Sequence, residues 1–182
     1  KYGTEEVTRT LCFSQQSKNR KQIFTEVLKG RIALATTDLK KDNIGKKIDI
    51  RARKFLKKSN LDYAHGTGHG VGFFLNVHEG PQSISKINKV KIKEGMILSN
   101  EPGFYKKNKF GIRIENLVYV KRQNKRLFFE NLTTVPIEKD LINFNLLTNF
   151  EKNYLFKYHL NVYSKISKFL NSNEKKWLSS LI

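Results

Sequence analysis

The sequence predicts a mixed α and β domain, with helices first, extended strands next and helices again at the end. Three observations carry this. Residues 17–58 place apolar side chains at helical spacing, and residues 96–135 hold β-branched and aromatic runs broken by turn residues; from 148 onward helical spacing returns behind a capping motif. Between the first two regions stands Tyr63-Ala64-His65-Gly66-Thr67-Gly68-His69-Gly70-Val71-Gly72, followed by Asn76-Val77-His78-Glu79-Gly80-Pro81, which together contain three of the four histidines.

Taken in order, Glu6 to Phe13 is rich in β-branched residues and reads as a strand. A period of two puts Glu6, Thr8 and Thr10 on one face and Val7, Arg9, Leu11 and Phe13 on the other. Ser17 follows as the N-cap of a helix carrying Ile23, Phe24, Val27, Leu28 and Ile32 on one stripe, weakened slightly by Gly30. A second helix is expected over 44–58, with Ile44, Ile48, Ala52, Phe55 and Leu56 toward the core.

The histidine segment comes next. Two histidines four apart would share a helix face, but Gly66, Gly68, Gly70 and Gly72 would each cost a helix about 1 kcal/mol relative to alanine. The segment therefore reads as a loop or strand edge. Glycine at alternate positions permits positive φ and lets another backbone, a metal or a substrate approach where a Cβ would block it.

Beyond Pro81 the chain to Lys93 is polar and loop-like. Met96 to Glu101 reads as a strand stopped by Pro102-Gly103, Lys106 to Lys109 as a turn, and Phe110 to Val120 as one returning strand. Arg113 and Glu115 are two apart and share a face, while Ile112 and Ile114 take the other. Leu127 to Val135 is a third extended stretch. Thr148-Asn149-Phe150-Glu151 has the spacing of a capping box, so a long helix begins there with Leu155, Tyr158, Val162, Ile166 and Phe169. A short last helix holds Trp177 and Leu178, and these apolar residues and His159 are read as structural.

A chain of 182 residues suits one domain with a real core, and 38% hydrophobic and 12% aromatic residues fit a globular protein. No apolar run approaches the roughly 20 residues that span a membrane. The single cysteine, Cys12, excludes an internal disulfide or multi-cysteine zinc site and suits a reducing compartment, the cytoplasm. Thirty-five basic against 16 acidic residues give a formal charge of +19. The lysines are spread among asparagines rather than gathered into a tract with interleaved aromatics, which argues against nucleic acid as the partner.

Glu6, His69, Glu101 and Glu115 stand out as possible metal ligands. Carboxylates with one imidazole form a mostly oxygen donor set, suited to manganese, iron, cobalt or zinc at a hydrolytic centre. Two such ions about 4 Å apart share carboxylates and activate a bridging hydroxide. A surface acid or an ordinary ion pair explains each glutamate alone, but not their combination with the histidine segment.

The segments His65 to Gly72, Asn76 to Pro81, Glu101-Pro102-Gly103-Phe104-Tyr105 and Gly111-Ile112-Arg113-Ile114-Glu115-Asn116 together resemble the catalytic domain of the aminopeptidase P family of pita-bread metallopeptidases. The resemblance covers nearly the whole chain, and Asn76-Val77-His78-Glu79-Gly80-Pro81 distinguishes this branch from prolidase, creatinase and methionine aminopeptidase. It implies an α+β pita-bread fold with two pseudo-symmetric halves and a site for two divalent ions, usually manganese, with zinc or cobalt as alternatives. By resemblance, Glu6, His69, Glu101 and Glu115 hold metal, and Glu101 also carries a proton from the water to the leaving proline nitrogen. His65 lines the proline pocket, and His78 holds the substrate carbonyl; Arg113 and Tyr105 support the site from behind. The implied substrates are peptides with proline second, and the implied assembly is a homodimer.

Two departures from that pattern matter. The family's first aspartate ligand falls before Lys1, and its second falls at Glu6, whose extra methylene moves the carboxylate by about 1 Å or more. The first helices of the domain are also missing, so the chain is read as the C-terminal portion of the catalytic domain, with an exposed sheet edge. The alternative function is a pita-bread module that has lost catalysis and binds peptides, proteins or nucleic acid.

Overall fold

The computed structural model describes residues 6–72, 74 and 76–182. The chain divides into two compact units, one formed by the described residues of 1–10 and 26–133, the other by 11–25 and 134–182. The helices appear where apolar spacing and caps predict them. Helix α1 (Lys18–Ala35) starts behind Ser17, whose hydroxyl accepts the Arg20 N–H at 3.3 Å, and α2 (Gly45–Lys58) follows. On α2, Ile48, Ala52 and Leu56 are buried, as their spacing requires.

In the first unit the strands form three small sheets among the described residues. Strands β1 (Gly68–His69) and β2 (Ser83–Ile84) pair; β3 (Ile97–Asn100), β6 (Asn116–Gln123) and β7 (Arg126–Asn131) form a second sheet in the order β3-β6-β7; and β4 (Gly103–Lys106) pairs with β5 (Phe110–Arg113). All pairings are antiparallel. Gly70 bridges Leu98, and the Val71 N–H donates to the Ile97 carbonyl at 3.1 Å, so the histidine segment runs along β3. Leu34, Ile48, Ile84, Leu98 and Val118 belong to one buried cluster under these elements.

Gly68 and Gly70 serve close approach, and none of the four alternate glycines occupies the left-handed region; among the described residues Gly95, with φ of 82°, is the glycine that does. A Cβ on Gly68 would stand 2.0 Å from the Ser99 carbonyl oxygen, and one on Gly70 would stand 2.1 Å from that of Glu79. Because the obstacle is backbone, neither side can yield cheaply. Gly68→Ala should therefore destabilise the fold by about 3 kcal/mol or more, seen as a lower melting temperature, whereas an unchanged melt would contradict the packing of β1 on β3.

Three sequence expectations need correction. Among the described residues, the stretch Glu6–Phe13 forms no strand ladder. With other described residues it keeps one backbone bond, from Glu115 N–H to Thr8 carbonyl at 3.0 Å, while side chains take further partners: the Thr10 hydroxyl meets the Arg113 N–H and carbonyl, and the Arg9 guanidinium takes the Glu115 carbonyl. The single strand expected over 110–120 is two, because the chain changes partner at Ile114 and Glu115, with β5 on β4 and β6 on β3. Pro102-Gly103 accordingly ends β3 and begins β4. Left-handed Asn124 and Lys125 make the tight turn from β6 to β7, a geometry that matches strand twist.

The second unit holds α3 (Asn149–Ile166) and α4 (Ser172–Ser179). Thr148 and Glu151 form the reciprocal capping box, and Asn171 with Glu174 forms another before α4. Leu155, Tyr158, Val162 and Leu178 are buried, and His159 is structural, its Nε2 accepting the Ile137 N–H at 3.0 Å. The third correction lies here. Phe169 and Trp177 are 75% and 60% exposed rather than packed: α3 stops at Ile166 before a 3-10 turn that carries Phe169 outward, and α4 buries only Leu178. No helix among the described residues is long and apolar enough to cross a membrane.

Candidate metal centre and adjoining pocket

His69 lies at the end of β1, Glu101 just beyond β3, Glu115 in the break between β5 and β6, and Glu6 on the segment alongside that break. The fold brings them together. Ligand atoms of Glu6, His69 and Glu115 all lie within 4.8 Å of one another. His69 Nε2 is 3.5 Å from Glu6 Oε2 and 3.5 Å from Glu101 Oε1.

The other nitrogen decides what that arrangement means. His69 Nδ1 lies 3.0 Å from the Gly70 carbonyl, which can only accept, so its N–H donates there. In the neutral ring Nε2 then presents a lone pair to two carboxylate oxygens, an unfavourable contact that a cation between them relieves. A partly buried carboxylate and imidazole set of this kind fits a divalent metal, and the Nδ1 bond supplies the outer partner that fixes ring orientation.

Residues to which the sequence assigned no role at the site hold these candidate ligands. The Ser99 hydroxyl accepts the His69 backbone N–H at 2.9 Å and donates to Glu101 Oε1 at 3.0 Å, tying β1 to the carboxylate. The Thr8 hydroxyl donates to Glu115 Oε2 at 2.5 Å, and Arg9 reaches the Glu115 carbonyl and Asn116 Oδ1. The signal was periodicity: Ser99 is two residues before Glu101, and Thr8 two after Glu6, the same-face spacing of extended chain.

The remaining candidates adjoin the cluster. The His78 ring meets the His69 ring edge-on, with centroids 4.2 Å apart. Arg113 Nη1 is 3.6 Å from Glu101 Oε2, and its Nε donates to the Tyr105 hydroxyl at 2.7 Å. That hydroxyl lies 3.0 Å from His65 Nε2, while His65 Nδ1 donates to the Gly66 carbonyl. Burial works against the Arg113 charge, but Tyr105 and the Glu101 and Glu115 carboxylates outweigh it and raise the pKa. Arg113 stays cationic and pairs with Glu101 rather than with Glu115, two residues on in sequence.

Burial chiefly, with Glu115 and Glu101 adding and His69 and His78 opposing, lifts the Glu6 carboxyl above its ordinary 4.5. A raised acid binds more protons folded than unfolded between the two pKa values, so metal-free stability falls as pH rises through that window. A bound cation needs the carboxylate and reverses the sign. Thermal melts across the window should show the metal-free decline and its loss in Glu6→Gln; identical pH profiles for both proteins would contradict it.

Comparison with known proteins agrees with this fold. Residues 1–122 match metallopeptidase family M24, and residues 125–181 match the C-terminal region of peptidase M24. The chain belongs to the M24 metallopeptidase family.

Within it, the chain is 44% identical over 97% of its length to a probable Xaa-Pro aminopeptidase P of Botryotinia fuckeliana, covering 29% of that protein. It is 45% identical over 97% of its length to aminopeptidase P2 of Arabidopsis thaliana, covering 26% of that protein. Among solved structures, X-prolyl aminopeptidase from Caenorhabditis elegans superposes with a TM-score of 0.86 and 39% identity over 96% of this chain and 30% of that one. That structure is described as a cytosolic enzyme with a di-nuclear active site. The Xaa-Pro dipeptidase from Bacillus anthracis matches at TM-score 0.63 and 27% identity, over 72% of this chain and 36% of its own. The fold is thus that of the pita-bread aminopeptidases and prolidases, and the chain spans under a third of the length of the Xaa-Pro aminopeptidase P relatives named here.

Proposed function

We propose that this chain is the C-terminal portion of the catalytic domain of a metal-dependent Xaa-Pro aminopeptidase, which removes the first residue from peptides with proline second. The observation that carries the reading is His69 Nε2 turned toward Glu6 and Glu101, 3.5 Å from a carboxylate oxygen of each, with Glu115 in the same cluster. Glu6, His69, Glu101 and Glu115 would hold two divalent ions, manganese in first place, with a further aspartate contributed from outside this chain. When bound, the ions supply an activated water and polarise the scissile carbonyl.

The protein's own groups do the rest. Glu101 accepts the proton of the attacking water and delivers it to the leaving proline nitrogen, while Ser99 and Arg113 hold its two oxygens apart in direction. His78, beside His69, steadies the substrate carbonyl, and His65, held by Tyr105, lines the pocket for the proline ring. We place the enzyme in the cytoplasm as a homodimer; exposed Phe150, Phe156 and Leu160 on α3 offer apolar surface for self-association, which sedimentation tests.

The decisive assay is manganese-dependent release of arginine from Arg-Pro-Pro by the full-length protein. Absence of turnover in a folded, metal-loaded protein would overturn the reading. Glu6, standing where the family has aspartate, favours the second reading, a non-catalytic peptide-binding or protein-binding module; that protein would bind Xaa-Pro peptides without cleaving them.

A further inference from the structure

Beneath the His65 loop lies a buried ionic network that the proposed reaction does not use. Arg53, 1% exposed, stands on the inner face of α2. Its Nε donates to both Asp49 oxygens, at 2.9 and 2.8 Å; Nη1 donates to Asp62 Oδ1 at 2.6 Å and to the Tyr63 carbonyl at 2.7 Å; Nη2 donates to the His65 carbonyl at 2.6 Å. Asp49 accepts in turn from the Thr67 hydroxyl at 2.5 Å. One cation and one anion, a helical turn apart, thus grip residues 62, 63, 65 and 67.

The rings continue the same construction. The Arg53 guanidinium lies 3.8 Å from the centre of the Tyr63 ring, which is 4.9 Å from the His65 ring; His65 is 5.5 Å from Tyr105, over which Arg113 sits at 5.7 Å. The His65 ring is the middle rung of a ladder with an arginine at each end. Taking two charges out of water is costly, and apolar side chains would fill the inner face of α2 as well. What the guanidinium adds is a rigid planar fork that fixes several acceptors at once.

We infer that Arg53, backed by Asp49, is a positioning residue for the site: it fixes where the His65 ring stands against Tyr105, and through it how tightly substrate is held. This rests on the peptidase reading, in which His65 lines the proline pocket.

The test is steady-state kinetics on Arg-Pro-Pro with the full-length protein, its Arg53→Lys, Asp62→Asn and His65→Ala variants, and the doubles with His65→Ala. Arg53→Lys should raise KM about tenfold while kcat and manganese stoichiometry hold, the pattern of lost uniform binding. Asp62→Asn should do the same more weakly, and it carries the test if Arg53→Lys does not fold. In the His65→Ala background neither change should raise KM further, which a merely structural role would not produce. Additive effects there, or an unchanged KM in the folded variants, overturn the inference. If the wild type turns over no peptide, the peptidase reading fails, and the His65 ring signal in heteronuclear NMR decides: displacement by Asp62→Asn supports positioning, and an unmoved signal overturns it.

Discussion

Glu101→Gln should lower kcat on Xaa-Pro peptides by about 10²- to 10⁴-fold, the range that positioned proton transfer contributes. Glutamine has the same shape, so the Ser99 hydroxyl at 3.0 Å keeps an acceptor and the strand geometry of β3 is retained. What disappears is the capacity to take a proton and give it back, together with the negative charge that pairs with Arg113. The loss should therefore fall on kcat more than on KM, the signature of an interaction made only in the transition state. Metal content and melting temperature, measured on the same preparation, separate this from a lost ligand or a damaged fold. Activity within tenfold of wild type, metal retained, would remove Glu101 from the role of proton carrier.

The second large effect runs the other way. Glu6→Asp should raise activity by about 100-fold, because a misplacement of about 1 Å among reacting groups costs roughly that much. Glu6 reaches the cluster, with Oε2 at 3.5 Å from His69 Nε2, but does so on an arm one methylene longer than the aspartate that the family resemblance implies there. On the proposed reading, a shorter arm would let the carboxylate help to hold the divalent ions beside His69 and Glu115. A large gain identifies a weakened enzyme. No activity in either form points to the binding module, and equal, measurable activity in both means that the longer arm already places its oxygens correctly.

The helices and caps were legible because they are local. Ser17, Thr148 and Glu151 satisfy backbone donors three residues away, and the apolar stripes of α1 and α2 follow from 3.6 residues per turn. The strands were legible in type but not in pairing. Nothing within residues 110–120 announces that the chain leaves β4 at Arg113 and joins β3 at Asn116, since both partners lie elsewhere in the sequence. The same limit hid Arg53: as one of many basic residues on a charged helix it looks solvated, and only Asp49 below it and the Tyr63 and His65 carbonyls above it show otherwise.

By itself the sequence determined which chemistry was available: a histidine and three carboxylates of ligand type, glycines where backbones must nearly touch, and the motifs of an M24 metallopeptidase. Tertiary structure alone decided that those four side chains meet, which nitrogen of His69 faces them, and that Ser99 and Thr8 hold the arrangement in place. The division has a simple cause. Caps and periodicity act across a few residues of chain, whereas the Thr8 to Glu115 and His69 to Glu101 contacts join residues far apart in sequence that only the complete packing of β1, β3 and β5 brings within reach.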